Sequence, residues 1–436
     1  MSHLESGEFY RIAKLPPYVF AVTNQMKAAL RLAGSDVIDF GMGNPDGPTP
    51  KPIVNKMIEA VKNPRNHRYS VSKGIPNLRI EIARRYERNY GVTLDPEREV
   101  IVTIGAKDAL AHLMFAVLGP GDVVATPDPA YPIHQWGVIM AEGHACLLPM
   151  PTPAEFLNRL RDLFRSPWKP KMVLVNFPHN PTTQTVDLAF FGEIIALARQ
   201  HGTMVLHDFA YADLCFDGYR APSILQVEGA KEHAVEIFSM TKSYNMAGWR
   251  VGFCLGNARM IHALARIKSY LDYGIFQPIQ IAAIIGLRDC EEETKKICQI
   301  YERRRDVLVD GLRRAGWCVD PPRGSMFVWA PIPEPFRSLG SLEFAKLLLE
   351  KALVGVAPGI GFGPSGDGHV RFALIENHHR TRQAIRNIKA FLRTQSPPRP
   401  EKAAASALPP DDCQNRYKKP RAGLEPESWS WPTQRN

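Results

Sequence analysis

Between residues 99 and 260, short apolar runs rich in β-branched residues alternate with segments whose apolar residues recur at helical spacing. This alternation is typical of a largely parallel sheet covered by helices, so we predict an α/β layer. The predicted strands are Val100–Ile104, Val123–Thr126, Met172–Asn176, Met204–His207, Val235–Ser239 and Val251–Leu255. The predicted helices are Asp108–Leu118, Phe190–Arg199 and the apolar run Ile279–Leu287. Polar residues that follow a strand are the candidates for chemistry, because ligands of such folds bind at the carboxyl ends of strands.

From about residue 290 the pattern changes and predicts a second, smaller α+β domain. Its predicted elements are a charged helix Cys290–Ala315, a strand Met326–Ala330, a helix Leu342–Leu353, a strand His369–Leu374 and a last helix over 379–393. We expect residues 1–45 to form an N-terminal arm and to complete this domain, and residues 46–289 to form the large domain. The small domain spans residues 290–393. Residues 394–436 lack apolar periodicity and are predicted to be a disordered tail.

Composition and charge narrow the class of protein. A hydrophobic fraction of 45% and a charged fraction of 22% over 436 residues are ordinary for a soluble enzyme of two or three domains. No apolar run approaches the roughly 20 residues that cross a bilayer, and the first residues do not resemble a signal peptide. The 7 cysteines are dispersed without a C-x-x-C pair, which favours reduced thiols and no metal site. We therefore expect a cytoplasmic protein without a membrane partner.

The net charge of +10 raises the question of a nucleic-acid partner. The basic residues are not concentrated, and their densest block, Arg303–Arg305, lies in a helical pattern beside Glu302 and Asp306. Such a block is typical of a solvated helix face. With no recognisable binding module, we expect no nucleic-acid partner.

Lys242 is the strongest candidate for chemistry. It follows the apolar run Ala234–Phe238 in a short polar segment, and Arg250 opens the next apolar run, Val251–Leu255. A lysine amine forms a Schiff base with an aldehyde, while the Ser239 hydroxyl and the arginine guanidinium suit a phosphate. Pyridoxal phosphate carries both groups. An ordinary surface lysine is the alternative.

Two other strand ends carry residues that suit the ring of this cofactor. A buried carboxylate at Asp208 would keep the pyridine nitrogen protonated, and the Tyr211 hydroxyl would hydrogen-bond the phenolic oxygen. The Asn180 amide, before Pro181, would donate to the same oxygen. The alternatives are a turn or cap residue at Asp208 and a simple Asn-Pro turn at Asn180.

A third strand end, at Gly105, predicts an anion site. Gly105 permits close backbone approach, and the amides of Ala106 and Lys107 open the following helix, where anions bind. Ser239 and Arg250 would close around the same phosphate. A glycine that merely eases the turn remains the alternative.

Arg371 stands in an otherwise apolar strand, where an unpaired charge is unfavourable. A substrate carboxylate and an internal acidic residue are equally suitable partners. The glycine-rich segment before it has neither of the spacings that bind nucleotides.

Together these motifs resemble the fold-type I, class I/II aminotransferases, which are pyridoxal 5'-phosphate enzymes. The resemblance covers the chain up to about residue 393 and rests on S-x-x-K-x(7)-R at Ser239, Lys242 and Arg250, D-x-x-Y at Asp208 and Tyr211, Asn180-Pro181, and the late Arg371. It implies a large domain with a mostly parallel seven-stranded sheet and a smaller α+β domain. Within the family the chain looks most similar to the bacterial alanine (glutamate–pyruvate) aminotransferases, through the segments 15–20, 42–48, 69–76, 242–250, 265–270 and 358–363.

The resemblance implies further roles. Tyr131 would stack on the cofactor ring, and Tyr69 would reach the phosphate of the partner subunit in a homodimer. Gly43 would contact the substrate carboxylate through its backbone, and Tyr18 would line the entrance. The segment Asp272–Pro278 has no arginine where aspartate-preferring relatives carry one, which lowers aspartate as a donor.

The expected reaction is amino-group transfer between an amino acid and a 2-oxo acid, with alanine and 2-oxoglutarate giving pyruvate and glutamate. Lys242 would both hold the cofactor and move the proton. The alternatives are an aspartate, LL-diaminopimelate or methionine aminotransferase, or a lyase on the same fold. The segment around Ala106 and Lys107 lacks the hydroxyl residues of many relatives, so backbone amides would do more of the phosphate binding.

Overall fold

The computed structural model describes residues 9–16 and 19–395. The helices are α1 Val19–Leu32, α2 Lys51–Val61, α3 Pro76–Tyr90, α4 Ala106–Val117, α5 Pro132–Met140, α6 Pro153–Arg165, α7 Leu188–His201, α8 Met240–Ser243, α9 Ala258–Leu271, α10 Gln277–Asp289, α11 Glu291–Arg314, α12 Gly340–Ala352 and α13 His378–Gln395. The strands are β1 Ile38–Asp39, β2 Val100–Thr103, β3 Val123–Asp128, β4 His144–Pro149, β5 Met172–Asn176, β6 Met204–Asp208, β7 Ala234–Ser239, β8 Gly252–Gly256, β9 Phe327–Pro331, β10 Val354–Gly355, β11 Ala357–Pro358 and β12 His369–Ala373.

The main sheet has seven strands in the order β2-β8-β7-β6-β5-β3-β4. Only β8 runs antiparallel to its neighbours β2 and β7, and the remaining pairs are parallel. The prediction of an α/β fold with a mostly parallel seven-stranded sheet is therefore confirmed. The sequence pattern does not predict β4, an edge strand whose residues are mostly half-buried and whose apolar pattern is correspondingly weak.

Both faces of this sheet are buried, as expected when helices cover a parallel sheet. On β5, Val173 and Val175 join one hydrophobic cluster, while Met172 and Leu174 join another. Successive strand residues point to opposite faces, so these clusters lie on the two sides of the sheet. Because both faces are covered, the carboxyl ends of the strands are where polar residues of the sheet can meet a ligand.

A third hydrophobic cluster brings together β9, β12 and helices α11 to α13. Ile38 and Phe40 belong to it, and β1 pairs in parallel with β10. This packing supports the proposal that the N-terminal segment completes a smaller domain, although the boundaries at residues 45 and 290 stay predictions. Helix α13 ends at Gln395, so Thr394 and Gln395 continue the helix rather than begin a tail. The rest of the predicted tail lies outside the described residues.

The prediction of a solvated face at Arg303–Arg305 is wrong for two of its three residues. Arg304 forms two hydrogen bonds of 2.7 Å to the carboxylate of Asp46. Arg305 is buried and bonds to the carboxylate of Asp217. Both arginines therefore tie α11 to loops of the large domain, which a spacing pattern along one helix does not reveal.

Five cysteines carry free thiols, namely Cys146, Cys215, Cys254, Cys290 and Cys298. Among residues 9–16 and 19–395, no helix combines the length and the apolar character that crossing a bilayer requires.

Candidate active site

Lys242 lies on α8, a single helical turn directly after β7. Ser239 ends the strand and caps the turn, because its hydroxyl oxygen accepts a hydrogen bond from the Thr241 amide at 3.3 Å. The half-buried Lys242 amine donates to the carbonyl of Gly43 at 2.5 Å. Burial and the nearby positive charges of Arg371 and Arg250 lower the pKa of Lys242 to about 7. Such an amine is in large part uncharged near neutral pH, as a nucleophile and a base must be.

The start of α4 forms a positively charged cradle. Gly105 caps the helix with φ +82, and a Cβ atom there would lie 2.6 Å from the guanidinium of Arg250. The Arg250 side chain therefore rests on the glycine, beside the free amides of the first helical turn. The helix dipole adds to its charge, so the arrangement suits an anion such as a phosphate.

Strand pairing brings the other predicted phosphate ligands to this cradle. Ser239 on β7 and Thr103 on β2 both pair with Gly252, the first residue of β8. A Cβ atom on Gly252 would lie 2.9 Å from the backbone nitrogen of Ala106. Lys107, the second residue of α4, is exposed, with its ammonium 5.6 Å from the centre of the Tyr131 ring.

Asp208 ends β6 and is buried, with 4% of its surface exposed. One carboxylate oxygen is 2.9 Å from Nε2 of His134, and the other accepts from the Ala210 amide at 3.2 Å. His134 lies on α5, is fully buried and was not predicted from the sequence. Nothing in its local sequence marks it, because 74 residues separate it from its partner. A carboxylate held in this way is suited to pair with a protonated ring nitrogen.

Asn180 links two of the predicted site residues. Its side-chain nitrogen donates to the Tyr211 hydroxyl at 3.3 Å, and its side-chain oxygen accepts from Arg371 at 2.6 Å. Its backbone amide donates to the side chain of Asn176 at 2.9 Å, and Asn176 donates to the Asp208 carbonyl at 2.6 Å. Burial raises the pKa of Tyr211 well above its ordinary value, so its hydroxyl keeps its proton and can donate it in a hydrogen bond.

The strands β11, β12 and β9 form a three-stranded sheet in that order. Arg371 lies on its central strand, β12, and is 6% exposed. Its guanidinium lies 3.9 Å from the centre of the Phe327 ring and 4.5 Å from that of Phe362. It donates to Asn180 and, at 3.3 Å, to the carbonyl of Gly41. These contacts orient the guanidinium. The two phenylalanines were not predicted, because a single apolar residue in a strand or loop gives no such signal.

The remaining predicted residues fall into three groups. Tyr131 is the N-cap residue of α5 and lies half-buried against His134, with ring centres 5.9 Å apart, and Gly43 accepts the Lys242 hydrogen bond. Tyr69 is on the surface, 84% exposed, with its ring against that of Tyr273. No hydrogen bond or ring contact joins Tyr69 to the site within the described part of the chain. Tyr18 lies outside the described residues.

The sequence is similar to those of known proteins. The sequence matches the family described as aminotransferase class I and II over residues 35–388. The chain belongs to this aminotransferase family. The aminotransferase is 54% identical over 386 residues to the glutamate-pyruvate aminotransferase AlaC of Escherichia coli, covering 88% of this chain and 94% of that protein.

Other relatives share the fold with lower identity. The LL-diaminopimelate aminotransferase of Moorella thermoacetica is 41% identical over 88% of this chain and 98% of that protein. The solved structure of a Thermus thermophilus aspartate aminotransferase variant matches with a TM-score of 0.82 and 28% identity, over 88% of this chain and 99% of that one.

Pyridoxal 5'-phosphate is the cofactor of this family, and the residues present fit it. The Gly105 cradle, where a side chain would collide with Arg250, matches a phosphate, and the buried Asp208 matches a pyridinium nitrogen. Lys242, with its lowered pKa, supplies the amine. When bound, the cofactor supplies an aldehyde that takes up amino groups and a ring that accepts electrons from the substrate's α-carbon.

Proposed function

We propose that the enzyme transfers the amino group of alanine to 2-oxoglutarate, giving pyruvate and glutamate. The observation that carries the reaction type is the joint placement of Lys242 and Arg371. Both donate to carbonyls of one short N-terminal segment, Lys242 to Gly43 and Arg371 to Gly41. The proposed base, Lys242, and the Arg371 guanidinium proposed to bind the substrate carboxylate are thus both hydrogen-bonded to this one backbone segment. The 54% identity to a glutamate-pyruvate aminotransferase supports alanine as the donor.

The proposed roles follow from the environment of each side chain. Lys242 Nζ would hold the cofactor and, once the amino acid has displaced it, would act as general base at the substrate's α-carbon and then as general acid toward the cofactor, for which a pKa of about 7 is well matched. Arg371 binds the substrate carboxylate as a fork, and Asn180 keeps that fork in plane. The Gly43 backbone would contact the same substrate carboxylate.

The cofactor-binding residues divide by the part of the cofactor that they would hold. Asp208, oriented by His134, would keep the ring nitrogen protonated, and Tyr211 and Asn180 would bind the phenolic oxygen. Tyr131 would stack on the ring. The phosphate would be bound by the set Gly105, Ala106, Lys107, Ser239 and Arg250.

We also propose a homodimer in which Tyr69 completes the partner's phosphate site. Tyr69 is 84% exposed, and its neighbours Tyr273 and Phe276 are 64% and 40% exposed. Such an aromatic patch is typical of a protein interface. We further propose a cytoplasmic location, which the free thiols at five cysteines support.

LL-diaminopimelate is the second candidate donor. The observation that favours it is the 41% identity, over nearly full length, to an LL-diaminopimelate aminotransferase. The same cofactor residues would serve both donors, so only substrate tests distinguish them.

A donor screen tests the proposal. Purified holoenzyme is mixed with single amino acids while the visible absorbance of the bound cofactor is followed, and pyruvate or 2-oxoglutarate is then added to restore it. We expect alanine and glutamate to discharge the absorbance and both oxo acids to restore it. Lys242→Ala is the control and should fold but not turn over. Rapid discharge by LL-diaminopimelate with none by alanine would establish the second candidate instead.

A further inference from the structure

We propose that Asp128 and Ser365 form a clamp that sets the position of Arg371 relative to Tyr131. The proposal rests on the aminotransferase function above and assigns two positioning residues to it. Neither side chain belongs to the cofactor or substrate contacts already described. The clamp joins the end of β3 to the loop Phe362–Gly366, which we call the 362–366 loop.

The contact itself is made by a buried carboxylate. Asp128 is 4% exposed, and its Oδ2 accepts the Ser365 hydroxyl at 2.6 Å and the Ser365 backbone amide at 3.1 Å. Hydrogen bonds to an ionised acceptor are roughly twice as strong as neutral ones. A single aspartate therefore holds both the side chain and the backbone of the loop.

The loop is shaped to receive this carboxylate. A Cβ atom on Gly363 would lie 2.0 Å from Oδ1 of Asp128, so only glycine leaves the space that the carboxylate fills. A second hydrogen bond runs parallel to the clamp, from the Ala130 amide to the Phe362 carbonyl at 2.7 Å. The Asp128 side chain therefore contacts the loop, and the Ala130–Phe362 hydrogen bond joins the backbones of the two segments.

Each side of the clamp carries a residue of the site. Tyr131, which would stack on the cofactor ring, comes three positions after Asp128. On the other side, the Phe362 ring lies 4.5 Å from the Arg371 guanidinium and packs against it. Displacing the 362–366 loop would therefore move one wall of the carboxylate site away from the ring site.

The loop is stiff enough to transmit this position. Ser341, at the start of α12, donates to Asp367 at 2.7 Å and accepts from the Ile360 amide at 2.9 Å. Gly359 and Gly366 approach so closely that a Cβ atom on Gly359 would lie 1.9 Å from the Gly366 carbonyl oxygen. A loop closed on itself moves as one piece, so releasing Ser365 would shift Phe362 with it.

The test compares holoenzymes of the parent, Asp128→Ala, Ser365→Ala, the double variant and Asp128→Asn. Asp122→Ala is the matched control, because Asp122 precedes the other end of the same strand, where its carboxylate accepts from Gly119 at 2.8 Å and from Lys171 at 2.7 Å. Three measurements are made: steady-state kinetics (KM and kcat) with the best donor of the parent, the dissociation constant of the cofactor, and hydrogen–deuterium exchange of the 362–366 loop.

We expect Asp128→Ala to raise KM roughly tenfold or more, the size expected for loss of charge-assisted hydrogen bonds. Cofactor affinity should change much less than KM, and exchange in the loop should quicken. The double variant should match Asp128→Ala, because Ser365 then has nothing left to bind. Asp128→Asn keeps an acceptor oxygen and should restore most of the parent's KM. Asp122→Ala should change none of the three.

An unchanged KM and unchanged loop exchange in Asp128→Ala would overturn the clamp. So would effects of the two single variants that simply add, since Asp128 would then act without Ser365. If Asp128→Ala does not fold, Ser365→Ala and Asp128→Asn carry the same test. A parent that does not use alanine would instead contradict the proposed donor, and the clamp would be measured with the donor that does discharge the cofactor.

Discussion

At the scale of single residues, Asn180 connects two parts of the proposed chemistry. Its oxygen accepts from Arg371 and its nitrogen donates to Tyr211, so an isosteric change alters both contacts without moving the backbone. Asn180→Asp would offer Arg371 a carboxylate within the protein. We expect KM for the amino donor to rise roughly tenfold to a hundredfold, because the substrate must displace a buried ion pair. Steady-state kinetics measure this.

Tyr211→Phe is the control for that change. It removes only the hydroxyl on the other side of Asn180 and leaves the contact with Arg371 in place. It should alter the absorbance of the bound cofactor more than KM. Equal donor KM values for Asn180→Asp and the parent would show that Arg371 does not bind the substrate carboxylate.

Lys242 gives a prediction about stability and pH. Folding lowers its pKa from 10.5 to about 7, so between these values the unfolded chain binds more protons than the folded one. The stability of the protein after cofactor removal should therefore rise as the pH increases through this window, and the penalty is fully present below it. Lys242→Met removes the penalty. We expect this variant to be more stable than the parent by on the order of a few kcal/mol below about pH 7, with the difference shrinking toward pH 10.5.

Urea unfolding of both proteins across that window measures the difference. Lys62→Met, which removes an exposed lysine, controls for the loss of one positive charge. A stability difference that does not vary with pH would mean that burial does not disfavour the charged amine of Lys242.

Site residues could be predicted from the sequence where they lie close to the end of a predicted strand. Lys242, Asp208 and Gly105 could be singled out because each directly follows a predicted strand, and the sheet topology brings strand ends together. His134, Phe362 and the clamp residue Asp128 could not, because their contacts join segments that are distant in sequence. Asp128 and Ser365 are 237 positions apart. Such contacts depend on how the second domain packs, which local periodicity does not encode.

At the scale of elements, the start of α4 shows how a glycine can define a binding site. Gly105→Ala should cost about 1–3 kcal/mol of stability, because φ +82 with ψ 169 is a conformation that essentially only glycine adopts, and its new Cβ atom should also push Arg250 aside. We expect cofactor affinity to fall roughly tenfold or more, as when a charged hydrogen bond to phosphate is lost. Absorbance titration with cofactor measures the affinity, and thermal unfolding measures the stability.

Gly121→Ala is a matched control for the backbone strain. Gly121 has φ +83, close to that of Gly105 at +82, but a Cβ atom there would meet nothing within 4 Å. It should lose stability through its positive φ and keep the parent's cofactor affinity. If Gly105→Ala also keeps that affinity, the anion site does not lie at this helix start.

Elements with strong periodicity were predicted closely, and the partly exposed strand β4 was not. Helix α11, predicted as Cys290–Ala315, spans Glu291–Arg314, and the fully buried strand β5 has the predicted bounds. The edge strand β4 was missed because its burial is incomplete, whereas β2 at the other edge is fully buried and was predicted. Burial, rather than intrinsic propensity, is what imprints an apolar pattern on a strand.

At the scale of the whole molecule, an aromatic surface patch lies apart from all three hydrophobic clusters. It contains Tyr69 and Tyr273, whose ring centres are 4.7 Å apart, and Phe276, which contacts His67. A buried salt bridge fixes the segment that precedes Tyr273. The buried Lys268 ammonium bonds to Asp272 at 2.8 Å and to Asp108 of α4 at 3.3 Å. The loop that carries Tyr273 is thereby tied to the helix whose start forms the phosphate cradle.

This connection leads to a prediction about assembly. If the patch is the interface of the proposed homodimer, Tyr273→Asp should shift the enzyme toward monomers, because a charge would be buried against the partner's apolar surface. Activity should fall with it, since each site would lose the partner's Tyr69. Sedimentation velocity and activity over a range of protein concentrations measure both effects, and activity should recover partly at high concentration. Trp168→Asp removes a similarly exposed aromatic residue, 71% exposed, from outside the patch and should change neither. A Tyr273→Asp variant that stays dimeric and active would place the interface elsewhere, and Tyr69 would then have no route to a second site.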